Sequence, residues 1–240
     1  MTILEFAGVS KAFGGLRPLR IAALRVGGGE RVALVGFDPP MAEVFVNLAT
    51  GAALPDDGEV TQFGRPTSAI ADGDEWLAAV DRFGIVSGRA VLLEQMTAVQ
   101  NLAMPFTLEI EPPPPAERAR AEALAREVDL AEVRWSAPLS QLDAAAAMRV
   151  RLGRAIAHDP QILLLEHASA ALARDHVDAF GALVRSVAER RGIAVVSVGA
   201  DEAFARALGG TVAALDAATG GLKPRTRLLD VFRRNRATDA

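Results

Sequence analysis

Glu166 and His167 close the run Gln161-Ile162-Leu163-Leu164-Leu165-Glu166-His167. A short apolar run behind Pro160 reads as a buried strand ending in an acid. A carboxylate there could hold Mg²⁺, although one carboxylate alone is a weak metal site. The imidazole next to it titrates near pH 6.5 and could take a proton from water. Each residue also has a plainer reading. Glu166 could be a cap or a buried polar group, and His167 a hydrogen-bonded structural histidine.

A second segment with chemical potential is Gly36-Phe37-Asp38-Pro39-Pro40-Met41-Ala42-Glu43-Val44. It lies between a strand-like run, Arg31–Val35, and a helix-like run, Met41–Ala49. A phosphate-cradling loop in such a place needs glycines, free backbone amides, a Lys and a Ser or Thr. Only Gly36 answers that description. Pro39 and Pro40 have no N–H. Ala42 and Glu43 supply neither cation nor hydroxyl, and Asp38 and Glu43 add negative charge. Pro40 biases Pro39 away from the helical region, so the helix is expected to start with Pro40. Glu43, with Asp38 upstream, is expected to satisfy the positive helix end from within.

These segments sit in an alternating frame. Further strand-like runs are Ile3–Phe6, Glu59–Phe63, Phe83–Val86 and Ala194–Val198. Further helix-like runs are Glu75–Ala79, Ala116–Val128, Ala144–Ala157, Val177–Arg190 and Glu202–Leu208. Alternation of this kind argues for α/β layering. Glu111-Pro112-Pro113-Pro114-Pro115 is an extended spacer inside a mostly helical stretch, 88–147. The expected layout is an α/β core, 1–87 and 148–222, interrupted by a helical subdomain, 88–147. A basic tail, 223–240, completes it.

Composition narrows the classes. The chain has 240 residues, half of them apolar, with 26 basic and 30 acidic side chains and a net charge of −4. That balance gives no case for nucleic acid. The absence of cysteine excludes disulfides and thiolate metal sites, and three histidines offer no zinc spacing. No apolar run approaches the roughly 20 residues of a membrane span, and the start of the sequence lacks a signal-peptide pattern. A cytoplasmic protein is expected, reaching a membrane through a partner.

Several segments together resemble the ATP-binding domains of ABC transporters. Gly29-Glu30-Arg31-Val32-Ala33-Leu34-Val35-Gly36 is like the strand entering that family's Walker A loop. Asn47–Gly51 and Pro55–Val60 resemble the helix exit and next strand. Leu92–Pro105 resembles the segment after the Q-loop. Arg149–Pro160 with Gln161–Leu172 behind it keeps the spacing from signature helix to Walker B strand. The resemblance implies an ABC-ATPase-like (P-loop NTPase-like) core sheet flanked by helices, with an inserted helical subdomain.

The same resemblance implies a nucleotide site whose key positions are changed. Glu166 stands for the Walker B Asp that holds Mg²⁺ through water, and His167 for the Glu that polarises the attacking water. Ala42 stands for the Walker A Lys, Glu43 for the Mg²⁺-binding hydroxyl, and Gly88 for the Q-loop Gln. Counting back from Arg149 puts the signature at Leu142-Asp143-Ala144-Ala145-Ala146, with acid and alanines where Ser and glycines belong. Ala173 replaces the D-loop Asp and Ala200 the switch His. Phe13 falls near the adenine-stacking position, or else is a loop anchor.

The implied reading is a non-hydrolysing structural or regulatory subunit of an ABC-type transport complex, without bound cofactor. Its expected partners are a membrane permease or another ABC-type subunit, in a homo- or heterodimer, with a partner helix anchored near Met96, Leu102 and Met104. Two alternatives stand beside it. One is a divergent ATPase using ATP and Mg²⁺ with Glu166 and His167. The other is a soluble module using the vacated cleft for a different ligand.

Overall fold

The computed structural model describes residues 1–224. Two sheets form its frame. The first is antiparallel, in the order β2 (Leu19–Gly27), β1 (Thr2–Lys11), β4 (Asp57–Gln62), β5 (Arg65–Pro66). The second has the order β10 (Gly221–Pro224), β9 (Thr211–Asp216), β3 (Arg31–Val35), β8 (Ala194–Gly199), β7 (Ile162–Glu166), β6 (Phe83–Ser87). Its strands run parallel except β10, which turns back on β9.

Alternation along β7 divides the core. Leu164 packs into a cluster with α1 (Pro39–Ala49) and the antiparallel sheet. Leu163 and Leu165 face the opposite cluster, built with α3 (Ala98–Ala103), α4 (Pro115–Glu127), α5 (Ala144–Ala155), α6 (Arg174–Arg191) and α7 (Glu202–Leu208). Phe45 of α1 stacks on Phe6 of β1, ring centroids 4.8 Å apart and nearly coplanar. Such a pair adds about 0.5–1.5 kcal/mol beyond its buried area. It pins α1 between the two sheets. The short α2 (Gly73–Val80) lies outside and buries no residue completely.

Gly84 is required where β6 meets α5. A Cβ there would lie 2.3 Å from the Ala155 carbonyl oxygen, so only glycine lets the strand come this close. No helix among the described residues is long and apolar enough to cross a membrane.

The expected strands and helices are present, with shifted ends. β2, β5, β9, β10 and α3 are additional. In β2, β9 and β10 the polar residues Arg20, Arg25, Thr211 and Lys223 interrupt the apolar pattern, because these strands lie toward the surface. Lys223 and Pro224, read as the start of a basic tail, belong to β10 and pair with β9. The rest of that tail lies outside the described residues. α5 runs through the expected boundary at 147/148, so the helical subdomain and the core share one continuous helix. α4 begins on Pro115, the last proline of the spacer, where a missing N–H costs nothing.

The helical insert is fastened to the core by Glu127 at the end of α4. Arg191 donates to both its carboxylate oxygens at 2.6 Å and also reaches Asp159. Hydrogen bonding from Arg191 holds the Glu127 carboxyl below its ordinary value. A depressed carboxyl stabilises the fold above its unfolded-state pKa and loses that contribution as pH falls through the folded one. Glu127→Gln is therefore expected to cost about 1 kcal/mol at pH 7, the pair being partly screened by water. Urea titrations should show that difference shrinking below about pH 4. A difference that stays constant down to pH 3 would contradict the assignment.

Candidate functional site

The site lies at the carboxyl ends of β3, β7, β8 and β6, where open α/β sheets carry ligand crevices. β3 leads through Gly36 into α1. Gly36 has φ 91°, which opens the turn, and Phe37 then folds under it, buried edge-on against Phe45. Asp38 caps α1, its Oδ1 accepting from the Met41 amide at 2.8 Å. The helix starts at Pro39, one residue earlier than expected, because extended Asp38 tolerates proline as its next residue and Pro39 fits the first helical position.

This cap uses up the anion-binding potential of the helix end. A helix normally offers four unpaired N–H groups there. Pro39 and Pro40 have none, and that of Met41 is bound by Asp38. The Ala42 amide makes the ordinary first helical bond to the Asp38 carbonyl at 2.9 Å. Ala42 itself is 0% exposed, packed among Phe37, Phe45 and Val46.

Glu43 does not neutralise the helix end as expected, for its carboxylate faces across the cleft. Arg89 donates to it from Nη1 at 2.7 Å. The same guanidinium grips Glu166, with Nη2 2.6 Å from Oε2 and Nε 3.0 Å from Oε1. This is the planar fork that carboxylates bind most firmly. The Glu166 side chain is 7% exposed; those of Arg89 and Glu43 are about half exposed, 48% and 47%. Hydrogen bonding to Glu166 raises the Arg89 guanidinium above its ordinary value, so it is always charged. The Arg89 amide also donates to Ser87 Oγ at 3.1 Å, fixing the turn after β6.

Gly88, the expected glutamine position, is exposed and contributes no side chain. Arg89, one residue on, joins the two acids instead. Sequence reasoning missed it, because Arg89 lies 46 and 77 residues from the two acids it joins.

His167 is not the hydrogen-bonded histidine expected. Its Nε2 is buried without a hydrogen-bond partner, and its backbone sits at φ 45° while its amide donates to the Val198 carbonyl at 3.0 Å. A left-handed non-glycine residue costs about 1 kcal/mol or more. Ser169 and Asp201 hold the turn in place. The Ser169 hydroxyl donates to Asp201, which caps α7 by accepting from the amides of Ala203 and Phe204 and also meets Arg174. His167 and Ala200 line a cavity of about 230 Å³ beneath this turn.

The signature-like position is also closed. Asp143 caps α5 by accepting from the Ala146 amide at 2.8 Å, and Arg134 binds its other oxygen. Those two donors hold its carboxyl below the ordinary value. The carboxylate is thus engaged by the Ala146 amide and by Arg134 while remaining half exposed. Phe13 is half-buried against the antiparallel-sheet core, its ring 3.0 Å from where a Cβ on Gly15 would lie, as a loop anchor would be. Of the expected docking anchors, Leu102 is fully buried within the helical core and is unavailable to a partner. Met104 lines an open groove beside β6.

The residues present do not fit Mg²⁺ with a nucleoside triphosphate. The amides for phosphate are absent or capped, and a guanidinium already occupies the space between the two acids. Among the described residues no group of three or more potential ligands could hold a metal ion.

The parallel sheet, crevice and helical insert define a P-loop-NTPase-like domain, and comparison with known proteins gives its kind. No family model matches the chain. It is 29% identical over 199 residues to the ribose import ATP-binding protein RbsA of Cereibacter sphaeroides, covering 81% of this chain and 38% of that protein. It is 28% identical over 215 residues to the methionine import ATP-binding protein MetN of Brucella abortus, covering 89% and 57%. The chain thus spans well under two thirds of the length of these curated relatives.

Among solved structures, the ATP-binding cassette MJ0796, seen as a post-hydrolysis dimer with ADP and Pi, superposes with a TM-score of 0.73 at 23% identity, over 94% of this chain and all of that one. CbiO1 from Clostridium perfringens, part of the ABC transporter complex cbiONQ, gives 0.78 at 16%, over 98% and 92%. The chain is thus similar in sequence to import ATP-binding proteins and shares the fold of ATP-binding cassettes.

Proposed function

We propose that this chain is a non-hydrolysing cassette subunit, structural or regulatory in role, within a membrane transport complex. The observation that carries the reading is the Arg89 fork. An internal cation bridges Glu166 and Glu43, the two acids at the positions where the family holds its metal. The capped, proline-led start of α1 supports it from the phosphate side.

RbsA and MetN are import ATP-binding proteins, and CbiO1 is part of a transporter complex. By that analogy the partners are a membrane permease and a second cassette, whether a copy of this chain or a different one. The chain would then sit at the cytoplasmic face of the membrane through the permease. Its nucleotide motifs are altered while its core strands are not; every residue of β7 is buried and all but Glu166 are apolar. An apolar, well-packed core beside an altered nucleotide site is what a contact role requires.

The contact surface suited to a permease is the groove between β6 and the helical insert. It has a volume of about 370 Å³ and is lined by Val80, Ile85, Leu92, Met104 and Pro105, with arginines from α5. An amphipathic helix lays its apolar anchors into a groove of this kind.

Phosphate release from ATP with Mg²⁺ should be indistinguishable between the purified chain and its Glu166→Gln variant. A turnover of about 1 s⁻¹, low in the usual enzyme range, that disappears in the variant would establish the divergent ATPase instead.

A further inference from the structure

The cavity of about 230 Å³ under the turn after β7 lies between the sheet and helices α6 and α7. Ala33 and Val35 of β3, Val177 of α6, and Phe204 and Ala205 of α7 give it an apolar lining. These residues belong to the core cluster on the face of the sheet opposite α1. Arg89, Glu43 and Glu166 are not among the residues that line it, so it is a separate place from the crevice they close.

Two polar groups of its lining residues lack a partner. Ser197 of β8 is 7% exposed, and among the described residues its hydroxyl makes no hydrogen bond. Nε2 of His167 is buried without one. The two residues share one side of the sheet. Gly199 follows Ser197 by two residues on the same strand face, and a Cβ on it would lie 3.5 Å from Nδ1 of His167. A buried polar group without a partner is costly, and such an exception calls for an occupant.

The charges lining the cavity answer each other. Arg174 donates from Nη1 to Asp201 Oδ2 at 3.3 Å. Asp201 also accepts from the Ser169 hydroxyl and from the amides of Ala203 and Phe204, so its carboxylate is fully engaged. The pair leaves no net charge to draw an ion, and an ion would have to shed its water against apolar walls.

We propose that this cavity is a binding site for a small uncharged molecule with a ring-sized apolar body and one hydroxyl group. A hydroxyl donates and accepts at once, and so can serve both Ser197 and His167. The size is suitable, since an apolar cavity of about 150 Å³ holds benzene. A molecule held there touches the turn after β7, α6 and α7 together. The inference stands apart from the docking role and from the loss of ATP hydrolysis.

The test is a saturation-transfer NMR titration of the full chain with phenol, toluene and benzoate, which share a ring and differ in one group. Phenol is expected to saturate with a Kd of about 1 mM, in keeping with so small a ligand. Toluene should bind about fivefold more weakly for want of one hydrogen bond, and benzoate should give no saturable signal. Ser197→Ala should reduce phenol to the affinity of toluene and leave toluene unchanged. Ala205→Leu fills the cavity and should abolish both. If Ala205→Leu fails to fold, the Ser197→Ala comparison decides alone.

No saturable phenol signal, or one that persists in a folded Ala205→Leu variant, would overturn the proposal and leave the cavity to water. Equal affinities for phenol and toluene in the wild-type chain would overturn the hydroxyl recognition that defines the ligand. Benzoate binding more tightly than phenol would assign the site to an anion on Arg174, and would overturn it too.

Discussion

Arg89→Ala is expected to lower stability by about 2–3 kcal/mol at neutral pH, although it alters a surface loop. The effect comes from Glu166, which lies buried at the end of β7 and takes three of its hydrogen-bond contacts from this one guanidinium. Without Arg89 a charged carboxylate stays in a poorly solvated cleft, unpaired. The limb to Glu43 contributes little, because both partners are about half exposed and water screens them. Arg89→Ala combined with Glu166→Gln should regain part of the loss, since a neutral amide is cheaper to leave there. Urea unfolding of the two variants and wild type decides the matter. A single-variant loss under about 0.5 kcal/mol, the scale of an ordinary surface change, would show the fork to be incidental.

Ala42→Lys is expected to leave the chain without measurable ATP affinity at micromolar concentrations, and to destabilise it by about 1–3 kcal/mol. Ala42 is fully buried in the core cluster that also holds Phe37, Phe45 and Val46, so a long side chain must displace packed neighbours before its ammonium reaches the cleft. Once there it finds Glu43 and Glu166, not phosphate. The missing amides of Pro39 and Pro40 stay missing and Asp38 still covers Met41. Micromolar binding in this single variant, roughly −8 kcal/mol, would mean that the loop retains a phosphate cradle.

The fold was legible because its central strands are short apolar runs, each with a helix after it. Arg31–Val35 and Ile162–Leu165 are buried on both faces and read as such. β2 was not legible, since one face meets water and Arg20 and Arg25 hide the apolar alternation, and β9 was not, since only Ala213 in it is fully buried. α6 begins at Arg174, three residues before the apolar pattern starts, because its first turn, Arg174-Asp175-His176, is exposed.

At the site, the losses at Ala42, Gly88 and Ala200 could be read one residue at a time. The replacement could not. Arg89 meets Glu43 and Glu166 across separations of 46 and 77 residues, and only the packing of three strand ends brings them together. His167 was misread for the same reason, as its Nε2 is buried by packing that leaves it without a hydrogen-bond partner.

Isothermal calorimetric titration of ATP with Mg²⁺ into the purified chain tests the central claim most directly. The account predicts no saturable heat up to millimolar nucleotide, an affinity weaker than about −4 kcal/mol, in wild type and in Glu166→Gln alike. Saturable one-to-one binding in the micromolar range, weakened by Glu166→Gln, would contradict it and place the nucleotide and its metal where Arg89 now sits.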